Sequence, residues 1–183
     1  MLGRAILDHY VIRFGRYDDS GHRFFPGAAC SVEVYRFPKT PARDVYTYAS
    51  IHAHPSSAQR DDHGQQFFAV AREPNDVLLD LVAVCATRLC GEGEALEPWS
   101  VTRLARPIPG TRGMDWLLVA PSIFEGDSFE YLATNDAHLR FLWVVPIFDA
   151  EARVRERDGA TALESLLFAK GVDLADLNRG SST

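Results

Sequence analysis

The residues with chemical reach gather near the middle of the chain. His52-Ala53-His54 puts two imidazoles on one face of an extended segment, because side chains along a strand repeat every second residue. His63 and the adjacent carboxylates Asp61 and Asp62 follow a few positions later. Such a set can hold zinc or another divalent ion, as a small metal-dependent hydrolase would require. The blander reading is two histidines at a strand end beside a solvated loop. No His-Glu-x-x-His spacing and no cysteine pair completes a coordination sphere, so no metal or cofactor is assigned. Nucleophilic chemistry finds no footing either. Ser122 and Ser128 lack a Gly-x-Ser-x-Gly elbow, and no cysteine has a recognisable catalytic neighbourhood. Gly91-Glu-Gly93 and Gly110-Thr-Arg-Gly113 are turns without the Gly-Lys-Ser/Thr that cradles phosphate. No catalytic residue is assigned, and the chain is not expected to be an enzyme.

The elements that would position these side chains follow from periodicity. At 183 residues, with 46% apolar and 24% charged residues, the chain has the length of one domain and the means to build a core. A net charge of -6 without any basic run argues against nucleic-acid binding. No apolar run approaches the ~18 residues of a membrane span, and Asp8 and His9 interrupt any signal-like core at the start. A cytoplasmic protein is expected. Cys30, Cys85 and Cys90 cannot all pair and match no zinc or redox spacing, so they read as small core hydrophobes.

Leu139 to Asp149 is short, aromatic and β-branched, and Arg140 is its one charge before Asp149. It reads as the buried central strand, leaving the sheet near Pro146 and handing over to a helix from Ala150 to Asp158. Ahead of it come a helix from Leu2 to a capping Gly15, a loop at 16–27, and strands at Ser31–Phe37 (one face wetter), Val45–His54 and Gln66–Arg72. A loop at 55–64 separates the last two. A helix capped by Asn75 and stopped by Gly91 follows. Short strands are expected at 101–105 and Trp116–Ala120, with a weaker one at 128–134. A last helix spans Ala160–Lys170, then one docked turn at 172–177 and a loose tail at 179–183. The prediction is one α+β domain spanning 1–183, a mixed central β-sheet flanked by helices.

The order of features in the C-terminal third carries a resemblance. Val144-Val145-Pro146-Ile147 is a hydrophobic strand ending in proline and an aliphatic residue. Glu151, Gly159, Leu163 with Leu166-Leu167, Asp173 or Asp176, then Arg179 and Ser181 follow in sequence, and Leu118-Val119-Ala120-Pro121 precedes them. This pattern resembles the suppressor of fused (SUFU) domain family in its short bacterial form. Two departures stand out: Thr47-Tyr48-Ala49-Ser50-Ile51 where relatives show Thr-x-Gly-x-Ser, and Gln65-Gln66-Phe67 where they show Arg-x-Glu. The resemblance implies a SUFU-like fold and a protein-binding module. In bacteria that means an immunity protein or antitoxin neutralising a cognate toxin; elsewhere, capture of a transcription factor by strand addition. An adaptor subunit of a secretion system is the other non-enzymatic alternative. The contact loops expected on this basis are 55–64 and 91–99, with Asp61, Asp62, Glu92, Glu94, Glu97 and Trp99 as contact residues. Oligomeric state is left open.

Overall fold

The computed structural model describes residues 2–24, 31–51, 64–88, 95–122, 125–135, 137–169 and 171–183. Helix α1 (Leu2–Phe14) precedes strands β1 (Asp19–Phe24), β2 (Ser31–Phe37), β3 (Tyr46–Ile51) and β4 (Gly64–Ala71). Helix α2 (Val77–Thr87) leads to β5 (Ser100–Arg103) and β6 (Trp116–Pro121). A single turn, α3 (Asp127–Glu130), precedes β7 (Tyr131–Ala133) and β8 (His138–Ile147). Helices α4 (Asp149–Asp158) and α5 (Ala160–Ala169) close the order. The strands form one eight-stranded sheet ordered β1-β2-β3-β4-β8-β6-β5, with β7 also paired to β8. Among the described residues every strand pairing is antiparallel except β4 with β8, which makes the sheet mixed.

The predicted central strand is central. β8 pairs β4 along one edge and β6 and β7 along the other. Its alternate side chains feed two cores. Leu139, Phe141, Trp143, Val145 and Ile147 point into the core under α1, α4 and α5. Leu142 and Val144 point into the core under α2 and the 104–114 segment. A strand covered on both faces has no solvated side to mark with polar residues, which is why this stretch carries so little charge. Pro146 stands opposite Leu117 in the last pair but one, close to the predicted exit.

Helix α1 buries Ile6, Tyr10 and Phe14, spaced four apart on one face, and ends at Gly15 with φ +88°. The Gly15 N–H donates to Val11 O at 2.9 Å. Helix α2 begins at Val77. Asn75 still caps it, one residue further out than expected, its Oδ1 accepting from the Val77 N–H at 3.0 Å. The predicted stop at Gly91 lies outside the described residues.

Four local readings need correction. The stretch expected to be a loop at 16–27 contains β1, whose backbone pairs with β2 from Asp19↔Arg36 to Phe24↔Ser31. The pairing edge of β2 overrides the turn-like composition. Strand β2 has no wetter face, since Val32 and Val34 enter one core and Tyr35 and Phe37 the other. The weak strand at 128–134 divides into α3 and β7. The tail expected to be loose at 179–183 is tied down: Arg179 and Ser182 are both buried.

What ties the tail is Glu151, fully buried in the first turn of α4. Arg179 donates to it as a fork, Nη1 to Oε1 at 2.5 Å and Nη2 to Oε2 at 2.8 Å. Ser182 adds its N–H at 2.9 Å and its hydroxyl at 2.7 Å, both to Oε1. The Phe148 N–H donates to Oε2 at 3.1 Å. Ser182 closes this knot, while the Ser181 hydroxyl meets that of Thr183. Burial pushes the Glu151 carboxyl up, but Arg179, Phe148 and Ser182 outweigh it and hold it below its ordinary value.

Candidate functional site

Two of the proposed contact residues, Glu97 and Trp99, fall in the described part of the chain. His52, His54, Asp61, Asp62, His63, Glu92 and Glu94 lie outside the described residues, and with them the whole metal-site reading. Among the described residues no group of three His, Cys, Asp or Glu is placed to hold an ion. Cys85 is buried, and burial pushes its thiol up to about 12, which makes it a poor nucleophile.

The points where the two predicted contact loops join the body are nonetheless well defined. The first leaves β3 after Ile51 and rejoins the sheet at Gly64, which opens β4 and does not belong to the loop. The second rejoins the body at Leu96. Gln65 links the two. Its Nε2 donates to Leu96 O at 2.9 Å, and the Leu96 N–H donates back to its Oε1 at 2.9 Å. This amide forms a two-bond clasp like a strand pair made by a side chain. The clasp fixes the return point of one loop against the return point of the other. No local pattern in the sequence assigns Gln65 this role.

Beyond Leu96 the chain is held just as firmly. Glu97 is exposed, and its carbonyl accepts from the Ser100 N–H at 3.0 Å. Trp99, named among the contact residues, is half-buried and packs against the core under α1, α4 and α5. It has φ +67°, a left-handed conformation that costs a bulky residue energy and needs support from its surroundings. That support is visible. The Trp99 N–H donates to Val119 O at 2.6 Å. Its carbonyl accepts from Arg155 Nε of α4, also at 2.6 Å. Trp99 therefore pins the start of β5 between β6 and α4 and leaves Glu97 as the outward-facing residue of this segment.

Strand β5 is the last in the sheet order, and its Thr102 and Arg103 are exposed. The guanidinium of Arg103 lies 3.5 Å from Asp115 and 6.0 Å from the centre of the Trp116 ring. Charge on a terminal strand of this kind discourages indiscriminate pairing. The described part of this region offers shape and hydrogen-bonding surface. No described helix is long and apolar enough to cross a membrane.

Comparison with known proteins gives this geometry a context. A sequence model described as suppressor of fused protein (SUFU) matches residues 29–180. Immunity protein YqcF of Bacillus subtilis (strain 168) is 19% identical over 156 residues, covering 82% of this chain and 81% of that protein. Among solved structures, a SUFU homologue from Neisseria gonorrhoeae FA 1090 superposes with a TM-score of 0.79 at 17% identity. It covers 99% of this chain and 96% of its own. A chain of the Sufu-Fu complex gives 0.71 at 14% identity, covering 98% and 91%. Drosophila Suppressor of Fused gives 0.68 at 15% identity, and this chain spans only 50% of it. These structural likenesses establish the mixed sheet and its flanking helices as a shared fold.

Proposed function

The chain belongs to the suppressor of fused protein family, and from that premise we propose that it is an immunity-type protein. It occupies a cognate toxin in a stoichiometric complex in the cytoplasm and makes or breaks no bond of its own. The observation that carries this reading is the alignment, over most of both chains, with a protein named as an immunity protein. Three physical features support it. The sheet is covered on both faces, which gives a rigid scaffold that binds without rearranging. The net charge of -6 suits fast capture of a basic partner. The Gln65 clasp ties Leu96, in the second predicted contact segment, to the start of β4, where the first predicted loop ends.

The test is co-expression with the product of the neighbouring reading frame. Co-purification at one-to-one stoichiometry, together with rescue of growth from that product's toxicity, is the expected result. Rescue without a complex, or a complex that leaves the toxicity intact, overturns the proposal.

A further inference from the structure

We infer that the turn from Glu97 to Ser100 is a two-state switch, whose second state carries the Trp99 ring out of the core and into solvent. This goes beyond capture of a protein partner and stands whether or not that capture occurs. The Ser100 N–H donates to Glu97 O at 3.0 Å, which closes a four-residue turn with Pro98 and Trp99 at its centre. Proline holds its own φ at about −65°. With φ +67° at Trp99 the turn is therefore of type II, the form that asks for glycine or asparagine in third position. A tryptophan there is costly. Type I, the commonest turn, has a negative φ at that position and accepts most residues. Proline suits the second position of both forms, and the same hydrogen bond closes both. A flip of the single peptide between Pro98 and Trp99 converts one into the other.

The surroundings confine the motion to that peptide. Gln65 grips Leu96 on one side of the turn with two bonds of 2.9 Å. On the other side Ser100 stands opposite Val119 in the sheet, and Arg155 Nε donates to the Trp99 carbonyl at 2.6 Å. The third residue has ψ of about 0° in both ideal turns, so its carbonyl keeps its direction through the flip and Arg155 keeps its bond. Two things do change. The Trp99 N–H turns away from Val119 O, to which it now donates at 2.6 Å. The sign of φ decides on which side of the backbone the Cβ leaves, so the half-buried ring exchanges its core contacts for solvent. One hydrogen bond and the ring's packing thus stand against a left-handed backbone that costs any residue other than glycine about five- to thirtyfold in population. Opposing contributions this close in size leave both states populated. Tryptophan is among the residues most enriched at binding hot spots, and the flipped turn supplies an aromatic anchor that the resting turn withholds.

Saturation-transfer ¹⁹F NMR on the full chain labelled with 5-fluorotryptophan tests this. The Trp99 signal, assigned with Trp99→Phe, should reveal a minor state at about 1–10% with a solvent-like shift. Trp116 and Trp143 lie on other strands and serve as controls without such a state. Two substitutions then separate backbone strain from ring packing. Trp99→Ala and Trp99→Gly both remove the ring, but only glycine is at ease at φ +67°. The residue 99 amide, bonded to Val119 O in the resting turn alone, should exchange with solvent about fivefold or more faster in the alanine variant than in the glycine variant, after correction for intrinsic rates. A turn held by packing alone gives the reverse order, since glycine is the more flexible. A Trp99 signal without a minor state overturns the inference, as does a minor state shared by all three tryptophans, which would report unfolding of the whole chain. So does an alanine variant protected as well as the glycine variant. The fluorine measurement is decisive on the unaltered sequence.

Discussion

Glu151 is the residue on which the end of the chain depends. Its carboxylate is fully buried, and five hydrogen bonds from Arg179, Ser182 and Phe148 converge on it. Removing one side of a buried, hydrogen-bonded ion pair leaves the other charge stranded. Glu151→Ala or Arg179→Ala should therefore cost about 3–5 kcal/mol in urea unfolding, and the pair replaced together by apolar residues should cost less than either alone. A single-substitution cost under about 1 kcal/mol would show the knot to be ornamental. The pH dependence follows from the direction of the shift. The folded-state value lies below the ordinary one, so the stabilisation is complete above the unfolded-state pKa of ~4.3 and is lost as pH falls through the folded value. Glu151→Gln should flatten that acid limb. In the sequence, Glu151 and Arg179 stood out only as members of an ordered family pattern. No local rule pairs residues this far apart, so the tail read as loose.

At the level of elements, most of the sheet was legible because a strand covered on both faces cannot hide its composition. β3, β4, β6 and β8 all appear in the sequence as apolar or alternating runs. β1 does not, because what makes Asp19–Phe24 a strand is the neighbouring edge of β2. Candidate contact residues were legible only as types. The sequence offers Glu97 and Trp99 as a pair, while the fold separates them into an exposed carboxylate and a pinned, half-buried ring held by Val119 and Arg155. Gln65 was invisible as a clasp because its partners are backbone atoms of a distant segment. Gln65→Ala should speed hydrogen exchange at the Leu96 amide and lower stability by about 1–2 kcal/mol. It should also weaken partner capture more than that loss alone explains, since the two loops would no longer share a fixed base. Unchanged exchange at Leu96 would mean that the loop is held elsewhere.

For the molecule as a whole, the sheet order places its firmest backbone at the centre. β8 is paired on both edges and covered on both faces, while β5 closes the order with two exposed residues. Amides of Val144 and Val145 should exchange only through global unfolding, and those of Thr102 and Arg103 through local opening. Equal protection in the two strands would contradict this gradient. The same arrangement bears on synthesis. β4 leaves the ribosome roughly 65 residues before the strand that pairs it in parallel, a wait of some seconds at ~5–20 residues per second. Throughout that wait Phe67 and Phe68 sit on a strand with one bare edge, which is a substrate for a holding chaperone or for aggregation. Slow codons between the two strands should therefore lower the soluble yield without altering the finished protein.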